Sequence, residues 1–330
     1  MQISIVAIHG IGAHPDDTWT KRVETEDGKA AYISWLTEGR MLPAVATNAR
    51  IMRYGYKSNW FGKKPMQAKV RDVATRLLNS LTMYREVLMK LSSKGAAFAK
   101  SSETGVQLSP ADLHYPLLWR PHCTQGKKHR KVHFDSTDTI QASVLARNDE
   151  EDWRPIFKST IGLLTLGTPF RGADGMQYRE IVEAALREYT EDEVRAETID
   201  VLQRENETLN DLVTEFCKIH KREGHAQIAC FYETGYTDVG KVVGGEQRIV
   251  SADQVKGMTI LTHLQRLLVT ESSGRLDFAD NGSIARDHFE MNKFEEPGEE
   301  DFMLVMKALK KMIKGANARM LSLSASGNAE

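Results

Sequence analysis

The residues with the most chemistry in them stand late in the chain. In "RDHFEMNKF" (286–294) His288 falls in a loop between the last apolar run and the last amphipathic helix pattern. That is the chain position of the base in hydrolases whose order is nucleophile, acid, histidine. A carboxylate to orient the imidazole should end the preceding strand, and "CFYETGYTD" (230–238) offers Glu233 and, less directly, Asp238. Such a carboxylate holds the ring in one tautomer and stabilises its protonated form during acyl transfer. Near the N-terminus, "VAIHGIGAHPDDTW" (6–19) is an apolar run closing on His-Gly-Ile-Gly. Glycines there let the backbone turn sharply and present N–H groups at the carboxyl end of a strand, where they can stabilise an oxyanion. An ordinary strand-to-loop turn is the plain alternative, and phosphate binding is disfavoured because neither GxxxxGK[ST] nor GxGxxG is completed. The nucleophile is the difficulty. "PLLWRPHCTQG" (116–126) begins like a buried strand running into a tight turn, yet no serine occupies the turn.

These groups need a scaffold, and the sequence predicts one. Short apolar runs recur between helical patterns: "ISIVAIHG" (3–10), "ARIMRYGY" (49–56), "PLLW" (116–119), "IGLLTLG" (161–167), "QIACFYE" (227–233) and "RLLVTES" (266–272). Runs that are apolar on both faces and separated by helices predict an α/β fold, a doubly wound and mainly parallel sheet covered on both sides. A helix is expected over 65–91, with Pro65 at its start, and another over 297–315, with acids in its first turn, lysines in its last and Gly315 as a stop. Residues 173–222 read as charged amphipathic helices, either an insertion capping the site or a solvated helix pair. The chain is read as one domain, 1–316, followed by a disordered tail, 317–330.

Composition excludes several classes. Formal net charge is −1, from 44 basic and 45 acidic residues that are interspersed, so neither nucleic acid nor an anionic bilayer is expected as a partner. The three cysteines, Cys123, Cys217 and Cys230, lie far apart with no CxxC pair, which argues against a disulfide framework and a zinc site and for a reducing compartment. No metal or cofactor is expected. No stretch approaches the roughly 20 apolar residues of a spanning helix, so direct membrane insertion is not expected and a cytoplasmic location is.

Taken in order, "VAIHGIGAHPDDTWT", "WLTEGRMLPAVATNARIMRYGYKSNW", "VATRLLNSLTMYRE", "QASVLARND", "STIGLLTLGTPFRGAD", "CFYETGYTDVGKVVGGEQR", "VTESSGRLD" and "ARDHFEMNKFEEPGEEDF" cover most of the chain. Together they resemble the α/β-hydrolase serine esterases, a lipase-like family that includes serine-active-site-containing proteins and the esterase domains at the N-termini of fungal NLR-type receptors. The resemblance implies an α/β-hydrolase fold, hydrolysis of a small ester or lipid, His288 as general base, Glu233 as acid, and Gly10, Ile11 and Gly12 as part of the oxyanion hole. It also implies a signalling-protein partner as an alternative role, and association with mitochondria or endoplasmic reticulum through a partner.

The same resemblance requires Gly-His-Ser-x-Gly-Gly between "PLLW" and "QASVLARND", and that motif is missing. Counted from the strand, Cys123 takes the serine's slot, with Pro121 and Gln125 where the tight elbow needs small residues. A thiolate paired with a histidine is a competent acyl-transfer nucleophile. Counted back from the helix, His133 takes the slot, with Ser136 nearby. The counts disagree because the chain carries extra residues here, as it does around 92–114 and 249–265. In "VSADQVKGMTILTHLQ" (250–265) Val-Ser allows a GTNAGT donor, Leu-Thr a CTNAC branch point and Gln a CAG acceptor, so the segment reads as a translated intron. "STDTIQ" (136–141) allows a similar branch point and acceptor. Two functions therefore stand side by side: an ester hydrolase, and a catalytically silent hydrolase fold used for interaction or signalling.

Overall fold

The computed structural model describes residues 3–98, 137–173, 190–204, 206–223, 226–238 and 265–326. Among the described residues two parallel sheets form the centre. In the first, β1 (Ile3–Ile8) pairs with β4 (Ala49–Tyr54), with Ile5 opposite Ile51. In the second, β5 (Gly162–Leu166), β6 (Gln227–Glu233) and β9 (Asp280–Ile284) run parallel in that order. Two short antiparallel pairs flank them: β2 (Thr20–Glu24) with β3 (Ala30–Ser34), and β7 (Thr237–Asp238) with β8 (Gln265–Arg266). The β2–β3 hairpin is not expected from the sequence reading, although its turn carries Asp27-Gly28 and Gly28 takes φ +74°, a left-handed conformation that suits glycine.

Helices cover both faces of the central strands. β6 shows why the middle of "QIACFYE" is apolar at successive positions. Ala229 and Phe231 join one core with Phe302, Val305, Met306 and Met312 of the last helix, whereas Ile228 and Cys230 join another with Ile140, Val144, Phe216 and Ile219. Alternate side chains thus face opposite layers. The first layer is α8 (Glu300–Ser326); the second is built by α3 (Thr137–Asn148) and α6 (Glu207–Glu223), with α2 (Val70–Phe98) beside them. Shorter helices, α1 (Leu42–Val45), α4 (Arg154–Ser159), α5 (Ala196–Asp200) and α7 (Glu271–Gly274), connect these elements.

The mixed α/β class and the parallel strands match the sequence reading, and four details correct it. The run at 266–272 is not a sheet strand. Only Gln265–Arg266 is extended, Leu268 and Val269 turn their amides toward β6, and β9, with the weakly apolar sequence "DNGSI", takes the third place in the sheet. Helix α2 begins at Val70 rather than near Pro65, because the Asp72 carboxylate accepts the Lys69 N–H at 2.9 Å and caps the helix there. α6 spans the end of the 173–222 interval as a packed layer helix that buries Leu209, Phe216 and Ile219. Finally, α8 runs to Ser326, through Gly315 and across most of the expected tail from 317 to 330. Gly315 stands inside the helix beside the Gln227 amide and does not act as a stop. The strand expected at 116–119 and the extra segments 99–114 and 249–264 lie outside the described residues.

Candidate functional site

The histidine, the carboxylate and the glycine loop singled out from the sequence lie at or just beyond the carboxyl ends of parallel strands. Glu233 is the last residue of β6, His288 follows β9, Gly10 to Gly12 follow β1, and Gly167 follows β5. In open parallel sheets this edge is where ligands bind, because the strand ends and helix N-termini converge there.

His288 and Glu233 form a buried pair. The imidazole Nδ1 lies 2.5 Å from Glu233 Oε2, and both side chains are almost wholly inaccessible. A carboxylate only accepts, so Nδ1 carries the proton and Nε2 is left as the basic nitrogen. Glu233 is itself fixed: its Oε1 accepts the backbone N–H groups of Leu268 and of Val269, the latter at 3.1 Å. The residues read as a strand thus serve the acid as two amide donors, which compensates its burial. Asp238, the other carboxylate considered, stands in β7 and is not the partner of the ring.

The loop carrying His288 is secured from several sides. Its amide donates to Thr237 Oγ1 at 2.9 Å, and the Asp287 carboxylate accepts the N–H groups of Phe289 and Glu290. Arg286 bonds Glu299, Asp301 at 3.0 Å and the Lys293 carbonyl, with its guanidinium 5.0 Å from the Phe294 ring centre. This ties the loop to the first turn of α8. From below, Trp35 donates to the Asn292 carbonyl at 2.9 Å and packs edge-to-face on Phe294 and Phe302. Gly167 leaves room for the ring: at φ +70° a Cβ there would lie 3.0 Å from His288 Cε1 and 2.6 Å from Met291 Sδ.

The Gly10–Gly12 loop is equally constrained. Gly12, at φ +78°, gives its N–H to the Ser58 carbonyl at 2.8 Å, and the Ser58 hydroxyl donates to the Ala13 carbonyl. The Gly12 amide is therefore committed to Ser58. Ser58 and Tyr56 are not singled out by the sequence. Their only signal there is the stretch "RYGYKSNW" following the second strand.

Among the described residues β1 and β5 border a common cavity. A cavity of about 570 Å³ is lined by Ile3 to Ile8 on one wall and Gly162 to Leu166 on the other, and is closed by Leu77, Leu78, Ala142, Ala146, Met306 and Met312. β6, flanked on both edges, is buried through most of its length, whereas most of β1 and the first half of β5 are only half-buried. Among the described residues neither β1 nor β5 has a second neighbour.

Cys123, the nucleophile expected at the elbow, lies outside the described residues, as do His133 and Ser136. The two described thiols are poor nucleophiles: burial pushes Cys230 up to about 11 and raises Cys217 as well. No group of metal-ligating side chains occurs among the described residues, and no described helix is long and apolar enough to cross a membrane. Neither protein-family models nor curated proteins nor solved structures yield a match to the chain.

Proposed function

We propose that the chain is a lipase/esterase-like carboxylic ester hydrolase on an α/β-hydrolase scaffold. The observation that carries this reading is the buried contact of His288 Nδ1 with Glu233 Oε2 at 2.5 Å, with the other Glu233 oxygen held by two backbone amides. A histidine oriented by a wholly buried, doubly anchored carboxylate at the carboxyl edge of a parallel sheet is the general-base half of an acyl-transfer centre. In this account His288 Nε2 takes the proton of the nucleophile and returns it to the leaving alcohol. Glu233 stabilises the imidazolium, and the loop after β1 donates to the oxyanion.

In this reading the nucleophile is Cys123, which follows "PLLW" (116–119) in the sequence. Ester attack by the Cys123 thiolate would form a thioester and release the alcohol; water activated by His288 would then release the acid and restore the thiol. Pro121 and Gln125 beside Cys123 favour the second reading, a catalytically silent fold serving a signalling partner, because they crowd an elbow that needs small side chains. Hydrolysis of a short-chain chromogenic ester by the purified chain separates the two. The enzyme reading requires turnover that His288→Ala abolishes with little change in stability, and the silent reading requires none.

A further inference from the structure

We infer that His9 and Tyr56 are positioning residues that fix the direction of the Gly10–Ile11 peptide in the loop after β1, with Tyr56 anchored from the start of α3. The inference rests on the hydrolase reading for its catalytic meaning, but its geometry stands apart from it. The His9 ring is wholly buried, and both of its nitrogens have backbone partners. Nδ1 lies 3.0 Å from the Gly10 carbonyl oxygen, and Nε2 accepts the Tyr56 N–H at 3.0 Å. Because a carbonyl accepts and an N–H donates, these contacts fix one neutral tautomer, protonated on Nδ1. His9 is therefore a linker between the end of β1 and the end of β4, and has no lone pair available for proton transfer.

What the linker fixes is a peptide plane. The Gly10 carbonyl receives His9 Nδ1–H and also the Ala13 N–H at 3.2 Å. In a planar trans peptide the carbonyl and the following N–H point in opposite directions. Pinning the Gly10 oxygen toward His9 thus turns the Ile11 N–H the other way. Since the Gly12 amide is held by Ser58, the Ile11 amide is the donor whose direction this arrangement sets.

Tyr56 completes the device. Its ring stacks on His9 with centroids 4.4 Å apart and planes 15° apart, and its hydroxyl donates to Asp138 Oδ2 at 2.5 Å. Asp138 is fully buried in the first turn of α3. The orientation of the His9 ring is therefore referred, through a stacked phenol, to the helix that follows the nucleophile's expected position. A line of three side chains joins the two segments that must agree on where an oxyanion sits.

The test uses Tyr56→Phe, which keeps the stack and loses the anchor, Tyr56→Leu, which loses both, and His9→Ala. Amide hydrogen exchange is followed at Ile11 and Gly12 in the full chain, and ester turnover is measured on the same samples. Expected is faster exchange at Ile11 in all three variants, smallest in Tyr56→Phe. In active chains kcat should also fall about 10- to 100-fold with KM nearly unchanged, as for a displaced oxyanion donor. Ile11 exchange unchanged in Tyr56→Leu and His9→Ala would overturn the inference whether or not the chain hydrolyses esters. Faster exchange in a chain with no turnover would uphold the positioning and remove the hydrolase reading alone. A variant that loses cooperative urea unfolding is replaced by Tyr56→Phe, whose stack should preserve the fold.

Discussion

Asp138 offers a test that needs no activity at all. Its carboxyl is fully buried, Oδ2 accepts the Tyr56 hydroxyl, and Oδ1 has no hydrogen-bond partner among the described residues. Desolvation outweighs that one bond and pushes the group from 3.8 up to about 7. A raised folded-state value means that the folded chain holds the proton more tightly than the unfolded chain. The stabilisation is therefore full below about pH 4 and is lost as pH climbs to about 7. A shift of roughly three units at 1.36 kcal/mol each amounts to about 4 kcal/mol between those limits. Asp138→Asn keeps the shape, stays neutral and should remove this slope. Urea unfolding of both proteins at several pH values from about 4 to 8 gives the comparison, because the other titrating groups cancel in the difference. The native chain should lose about 4 kcal/mol relative to the variant over that window. Parallel curves, or a native chain that gains on the variant as pH rises, would refute the buried, poorly partnered carboxyl.

Four further outcomes follow from the same geometry. Gly167→Ala adds a Cβ at φ +70° against His288 and Met291, and should cost about 1–3 kcal/mol in urea unfolding and displace the imidazole; unchanged stability would contradict the close approach. Glu233→Gln should leave the fold intact while lowering kcat about 10³- to 10⁴-fold, since the imidazolium loses its counter-charge, and an equal turnover would remove Glu233 from the mechanism. Alkylation by iodoacetamide near neutral pH, mapped by mass spectrometry, should leave Cys230 unmodified in the folded chain because its thiol is pushed up to about 11; rapid labelling there would contradict its burial. Sequencing of the mature transcript should show the codons for 250–265 present if Cys123 is the nucleophile, and their absence would favour the translated-intron explanation for the missing serine. A message that also lacks the codons for 136–141 would assign Asp138 to a retained segment.

Much of this arrangement is legible in the amino-acid sequence, and for identifiable reasons. The α/β class is legible because β6 must be apolar on both faces, and no other sheet position leaves that signature so plainly. The contact of His288 with Glu233 is legible because strand ends and chain order confine where a histidine and a carboxylate can meet. β9 escapes because "DNGSI" owes its place to pairing with β6 and not to its own hydrophobicity, and the run at 266–272 misleads because Leu268 and Val269 are buried for the sake of their amides. The end of α8 is misplaced because a glycine inside a helix looks in sequence like one that ends it. Tyr56, Ser58 and Asp138 carry no motif of their own, and only the approach of β4 and α3 to the loop after β1 gives them a role.

The central claim is that His288 and Glu233 serve a nucleophile contributed by Cys123. The most direct measurement is hydrolysis of a short-chain chromogenic ester by the purified chain beside Cys123→Ala and His288→Ala, with urea unfolding confirming that each variant is folded. The account predicts turnover by the native chain that disappears in both variants. No turnover above background, or turnover that survives the loss of His288, would contradict it.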